Sequence, residues 1–391
     1  MPLGTPSYPS SEARQDETTK TTLQQLLKDN HDTLDITYHG YFANHTVHHL
    51  YALYTLGADS ERLKHCLAKH KEEVGPLPPP KVAITADNWR DHFSNTKMYS
   101  SYLRFFEAEV ARLGPQKAFD YYVPELIVGM VGAAAHPLIH LGFALEFNNT
   151  TVLAEALAFG CARRIPLEPI VDRTAPAMIA ADGREVSFST AIAQVAGDAR
   201  LDKVPYRTGR LGDKMRAMFD LCGDEIAELT NSVLITQDNV DDRMHELFDA
   251  AVTAYGGCAQ RENPDFFLAH GLTGAHAMRI VGPHLSAKER VRLVRSHWLF
   301  LVAAYIAQGR PGMDLATVIQ RYTDDKAYPW SKVMSSALST DDEHVPKVVH
   351  AMREAEKTWG ARDGKWRAIA ALTVDKIKAT DDWVFKATEH D

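Results

Sequence analysis

Four segments of this chain set histidines at spacings where several could share one ion or one proton-transfer site: NHTVHHLYALYTLGA at 44–58, GAAAHPLIHLGFALE at 132–146, DFFLAHGLTGAHAMRIV at 265–281 and STDDEHVPKVVHAMREAE at 339–356. Histidine is the commonest metal ligand and the usual acid–base group near neutrality, so 18 of them need an explanation. In the first segment His45 and His49 are four residues apart, one helical turn on one face, and His48 lies within a turn of His45. Leu50, Leu53, Tyr54 and Leu56 make an apolar seam that puts this helix inside the protein. The bland alternative is a wet helix end with one hydrogen-bonded histidine.

His136 and His140 repeat the spacing inside the longest uncharged run of the chain. Pro137 removes a backbone donor, so a helix is expected to start or kink at His136. A buried imidazole with an unsatisfied nitrogen costs about 1–3 kcal/mol. A metal on one nitrogen and a carbonyl on the other would satisfy both. His270 and His276 are six apart, about 120° around a helix. They reach one site only from a helix start or a bend, which Gly271 and Gly274 would permit, or else His276 orients another ligand. In the fourth segment Thr340 and Glu343 have capping-box spacing, and His344 and Lys347 face one way. A buried lysine loses its proton easily, and its neutral amine can capture carbon dioxide as a carbamate with carboxylate oxygens. Val345, Val348 and Val349 bury the near side, whereas Arg353, Glu354, Glu356 and Lys357 read as a solvated continuation. Chemistry alone would favour a surface salt bridge from Lys347 to Glu343.

The elements that must position these groups are helices. Apolar residues recur at three- and four-residue spacing through 44–57, 100–113, 151–162, 213–230, 243–255, 288–308 and 347–358, and strand-like alternation is scarce. The expected fold is all-α, a single large helical domain over 23–391 with a buried metal site. It follows a polar tail over 1–22 that is expected to be disordered. VGPLPPP at 74–80 is an extended connector, and 163–188, with Pro166, Pro169, Pro176 and Gly183, is loop-like. Residues 126–145 carry no charge and could span a bilayer by length. His136, Pro137 and His140 near their middle make a buried kinked helix or hairpin the better expectation, with no membrane partner.

Composition excludes further classes. Lys+Arg number 43 against Asp+Glu 51, a net charge of −8 without a basic block, so nucleic acid is a poor partner. Cys66, Cys161, Cys222 and Cys258 are dispersed, with no CxxC, which suits a reducing, cytoplasmic setting. No GxG occurs, so the dinucleotide fingerprint is missing, and neither GxSxG nor HExxH is present. His70 with Glu72 gives the one HxE, in AKHKEE, which reads as a solvated face.

Taken in order, NHTVHHLYALYTLGA, GAAAHPLIHLGFALE, PDFFLAHGLTGAHAM and DDEHVPKVV resemble the questin oxidase-like family, and DNWRDHF and YSSYLRFFEAE between them strengthen the match. The resemblance covers nearly everything from about residue 30 onward. It implies enzymes of fungal aromatic polyketide pathways, formerly described as Baeyer–Villiger oxidases, that open an anthraquinone or related ring. It also implies non-haem Fe(II) held by histidines and a carboxylated lysine. Those ligands fall on His45, His136, His270, His344 and Lys347, with His276 competing for the place of His270 or His344. His49, His140 and His276 are then the catalytic candidates, and a planar aromatic polyketide and O₂ the partners. Tyr54, Trp89, Tyr99 and Phe143 are candidate substrate walls. The alternatives are an NADPH-dependent Baeyer–Villiger oxidase, with NADPH as external reductant, and a non-catalytic helical binding protein.

Overall fold

The computed structural model describes residues 16–173, 185–204, 211–259, 263–324 and 326–385. Its first helix, α1 (Glu17–Thr33), begins where the Asp16 side chain accepts the Thr19 amide, and it buries Leu23, Leu27 and His31. The tail expected through residue 22 is thus helix from Glu17: a capping carboxylate and an apolar stripe outweigh a polar composition. Residues 1–15 lie outside the described residues, as do Pro176 and Gly183 of the expected loop.

A two-stranded antiparallel hairpin, β1 (Thr37–Tyr38) with β2 (Phe42–Ala43), pairs Thr37 with Ala43 and Tyr38 with Phe42. It delivers the chain to α2 (Thr46–Leu56), which stops at Gly57 with φ +102°, and to α3 (Ser60–Glu73). The proline-rich connector follows as expected, then α4 (Tyr99–Leu113) and α5 (Pro115–Leu126). The uncharged run becomes a 3₁₀ turn over Ile127–Val131 and then α6 (Gly132–Glu146). Right-handed helix starts at His136, as expected: Ala133, Ala134 and Ala135 before it take φ of 49°, 56° and 62°. The apolar window within Pro115–Glu146 is long enough to cross a membrane but 89 % buried against the rest of the protein.

The remaining helices are α7 (Thr150–Ala162), α8 (Glu168–Val171), α9 (Phe188–Gly197), α10 (Leu211–Asn231), α11 (Val240–Cys258), α12 (Phe266–Val281), α13 (Ala287–Ala307), α14 (Leu315–Tyr322), α15 (Trp330–Ser339), α16 (His344–Trp359) and α17 (Lys365–Lys376). The architecture is all-α apart from the hairpin, and one hydrophobic core runs from Leu23 to Trp383. At its centre α6 packs most extensively on α12 and on α7, while α2 and α12 both pack on α16. These contacts bring the four histidine segments together.

The α6–α12 approach depends on Gly142, where an added Cβ would sit 2.7 Å from Ala277 Cβ and 2.9 Å from its Cα. Real Cβ atoms do not come that close, so Gly142→Ala must push the two helices apart. We expect it to lower unfolding stability by about 1–3 kcal/mol, read from the midpoint of chemical denaturation. An unchanged midpoint would mean that the helices are not held together there.

Candidate metal centre

One nitrogen from each of His45, His136, His270 and His344 lies within 4.8 Å of the others, and all four residues are buried. Each comes from a different segment. Asn44 takes the Thr46 amide on its side-chain oxygen and donates to Asn30 and Asp35, fixing His45 at the cap of α2. The left-handed alanines aim His136 inward. Asp265 caps α12 through the amides of Phe267 and Leu268, one turn before His270. Asp342 caps α16 through the amides of His344 and Val345, and Trp383 donates to its other oxygen. The capping box expected from Thr340 and Glu343 is therefore replaced by Asp342, because the Thr340 hydroxyl accepts the Asp342 amide instead.

Tautomers decide what this cluster can hold. His136 Nδ1–H donates to the Ala133 carbonyl and His270 Nδ1–H to the Phe266 carbonyl, at 2.7 Å for the latter. In a neutral ring the remaining Nε2 is then a lone pair. These two lone pairs face each other at 3.3 Å, and His45 Nε2 lies 2.7 Å from His136 Nε2. Neither nitrogen of His344 has a hydrogen-bond partner among the described residues. Protonation would relieve the conflict in water, but burial, reinforced by Lys347 and by the rings themselves, holds His45 and His136 well below the ordinary imidazole value. Burial and the neighbouring His136 and His344 do the same for His270. Lone pairs that converge without protons are the donor set a cation requires, and carbonyls on the outer nitrogens are the usual support. These residues fit a metal.

Lys347 is 2 % exposed and its Nζ has no hydrogen-bond partner among the described residues. The surface salt bridge to Glu343 is not formed. Burial, opposed by Glu343 and Asp342, brings the Lys347 ammonium down to about 8. Glu343 lies 3.5 Å from His45 Nδ1, a carboxylate beside the cluster that spacing alone did not show. Lys347 also lines a small, largely closed cavity of about 10 Å³ with Ile139, Gly142, Phe143, Glu146, Thr273, His276 and Ala277. That is about the room one water molecule needs. Of the four proposed substrate walls only Phe143 lines it. Trp89 packs instead on Phe93 and Tyr122.

Other expected partners are distributed differently. His49 turns away from His45 to His70, at 3.1 Å, and both lie beside Cys66. His70 is thus drawn inward, whereas Glu72 stays on the solvated face. His48 replaces His49 on the inner side, hydrogen-bonded at 3.0 Å to His140, whose other nitrogen meets Glu155. α12 has no bend: Gly274 instead admits His297 of α13, 2.6 Å from where its Cβ would be. His276 therefore points elsewhere than His270, into a second buried group with Glu146 and His350. Glu354, expected in solvent, is buried and ion-paired with Lys357.

Glu146, His350, Glu155 and His31 escaped the sequence reading, because each meets its partner across the fold without any local pattern. His350 donates through Nδ1 to Thr55, whose own hydroxyl donates to Ala52, and its Nε2 lies 3.0 Å from Glu146. Burial alone would raise the Glu146 carboxyl, but His350 and His276 hold it well below the carboxylate range. Burial would lower His350, yet Glu146 keeps it raised. This is a buried ion pair.

Its contribution should be complete between the ordinary carboxylate and imidazole values, about 4.3 and 6.5. It should fade as pH rises through the raised value of His350 and as pH falls through the depressed value of Glu146. Glu146→Gln strands the imidazolium, so we expect a loss of about 3–5 kcal/mol at pH 5.5 that shrinks by pH 9, measured by denaturant midpoints. Equal losses at both pH values would show that no ion pair is present.

Comparison with known proteins identifies the family. A profile described as questin oxidase-like matches residues 42–352. A Baeyer–Villiger oxidase of Pestalotiopsis microspora is 26% identical, covering 93% of this chain and 90% of its own. One from Emericella nidulans is 28% identical over 94% of this chain and 91% of its own. A questin oxidase of Aspergillus terreus is 23% identical, with 85% and 79% covered. The chain belongs to the questin oxidase-like family and is an oxidoreductase of the oxygenase type.

Proposed function

We propose that the protein is a non-haem iron oxygenase that uses O₂ to cleave a ring of an anthraquinone or related planar aromatic polyketide in fungal secondary metabolism. The observation that carries this reading is the convergence of the His136 and His270 Nε2 lone pairs, 3.3 Å apart, with His45 Nε2 2.7 Å from His136 and neither nitrogen of His344 hydrogen-bonded among the described residues. His45, His136, His270 and His344 would hold Fe(II), and iron bound there would supply one-electron chemistry toward O₂ that no side chain in this chain offers. Lys347 would join them as a carbamate: its amine forms an N–C bond to carbon dioxide and loses a proton, for which a pKa of about 8 is well suited. The resulting oxygens bring anionic charge to an otherwise neutral ligand set.

The remaining groups orient and move protons. His140 would act on the cluster through His48, and His276 from the rim of the Lys347 cavity. His49, turned toward His70, supports α2 from behind. Dispersed free cysteines fit a reducing cytoplasm. A second reading, favoured by the names of the relatives, is Baeyer–Villiger oxidation with NADPH as external reductant. An absolute requirement for NADPH in turnover separates it from the first. Family membership sets aside the non-catalytic binding protein.

Protein purified without chelators should contain about one iron per chain by elemental analysis. His45→Ala and His136→Ala should each lose it while keeping the helical circular-dichroism signal. Zinc in the site under iron-replete growth would sink the redox reading, since zinc has no redox chemistry. Lys347→Arg, which keeps the charge but cannot carbamylate, should lose iron or activity, and acetate should partly rescue Lys347→Ala. Turnover of a hydroxyanthraquinone under ¹⁸O₂ should label the product, and an unlabelled product would reject oxygenation.

A further inference from the structure

Five helices each contribute one side chain to a hydrogen-bonded line that leaves the histidine cluster and ends at the surface. His48 of α2 meets His140 of α6 at 3.0 Å, and His140 meets Glu155 of α7 at 2.8 Å. The other oxygen of Glu155 lies 2.7 Å from His31 of α1, whose far nitrogen is 2.7 Å from Glu107 of α4. His31, Glu155, His140 and His48 are all buried, at 7 % exposure or less. The Glu107 side chain is 30 % exposed and is held on the outer face by Arg104. We infer that Glu107, His31, Glu155 and His140 form a proton path from solvent to His48, serving to carry away the hydroxyl proton of a phenolic substrate. The inference rests on the substrate class proposed above.

The hydrogen bonds themselves set the polarity of the line. His31 stands between two carboxylates and donates to both, as an imidazolium. Glu155 accepts from both of its neighbours. A neutral His140 that donates Nε2–H to Glu155 must accept at Nδ1, so His48 donates Nε2–H to it. His48 Nδ1 is then a lone pair, unpartnered among the described residues, on a ring 6.0 Å from that of His136 and 6.1 Å from that of His45. The charges agree: Glu155 and Glu107 raise His31 although burial opposes them, and His140 and His31 depress Glu155 against its burial. A structural ion pair would need only His31 and Glu155. The line continues past that pair through His140 to His48, whose Nδ1 is left open on a ring beside those of His45 and His136.

The transfer balances. The substrate O–H bond breaks, its electron pair stays on oxygen, and a new N–H forms at His48 Nδ1. His48 passes its Nε2 proton to His140 Nδ1, and His140 passes its own to Glu155. His31 gives its Nε2 proton to Glu107 and thence to water. One proton enters, one leaves, and the buried His31–Glu155 pair ends neutral. The reverse sequence returns a proton when a product oxygen is reprotonated.

The test uses the full-length protein with 1,8-dihydroxyanthraquinone, whose anion absorbs to the red of the neutral dye, and a pH indicator in weak buffer, followed by stopped flow. The wild type should ionise the bound probe and release one proton per molecule bound. Glu155→Gln should slow ionisation at least tenfold. Glu107→Gln, a surface change that leaves the buried pair in place, should slow proton release several-fold, and added imidazole should restore it. A purely structural role for Glu155 would lower stability while leaving Glu107→Gln at the wild-type rate. Wild-type rates in both variants would overturn the relay. A probe that fails to bind the wild type would instead reject the proposed substrate class, and with it the proton the relay is meant to carry.

Discussion

Two backbone carbonyls, those of Ala133 and Phe266, govern the chemistry of the buried cluster. Each takes the Nδ1 proton of a histidine and so turns the ring's Nε2 into a lone pair aimed at its neighbours. Had either ring donated inward instead, the cluster would be an ordinary chain of imidazole hydrogen bonds. The fold spends unusual backbone geometry on this arrangement. Three consecutive alanines in the left-handed region, each of which costs an L-residue about 1–2 kcal/mol, place the Ala133 carbonyl under the His136 ring. Strain of this kind persists only where the surroundings over-determine it, and here α6 is locked between α7 and α12.

The distribution of charge follows from the same constraint. Among the described residues the cluster rings make no hydrogen bond to a carboxylate, Glu343 staying 3.5 Å from His45 Nδ1 and Asp342 3.7 Å from His344 Nδ1, and the hydrogen-bonded pairs lie one layer out. Glu146 with His350 stands on one side and Glu155 with His31 on the other. Both carboxylates answer histidines from distant helices, which ties the site to packing across the whole domain. A substitution at the outer layer can therefore change the centre without touching it.

The helices were legible because their apolar spacing survives in every core segment. The uncharged run with Pro137 was recognisable as interior for the same reason. The four cluster histidines were legible as segments, but their partition was not. His45 precedes the first helical residue, so the four-residue rule that linked it to His49 did not apply, and His48 took the inner place. The glycines of α12 suggested a bend, although their small size serves close approach of α13 and leaves the helix straight. The left-handed alanines carry no mark in sequence, since glycine is the usual occupant of such positions. Contacts such as His31 with Glu155, 124 residues apart, exist only once the helices are packed.

The cavity beside Lys347 has a thermodynamic corollary. At about 10 Å³ it accommodates one water-sized molecule, whereas pockets for drug-sized ligands run to roughly 300–1,000 Å³. This cavity as it stands has no room for a three-ring aromatic, and a flat substrate of the proposed class would enter it only in a form in which the helices around it have parted. Affinity for that substrate is then the intrinsic affinity multiplied by the fraction of molecules already open: with about 1 % open, binding weakens about a hundredfold. Natural variation that loosens this packing would tighten substrate binding without adding a single contact, at the expense of the dryness that keeps the imidazoles unprotonated.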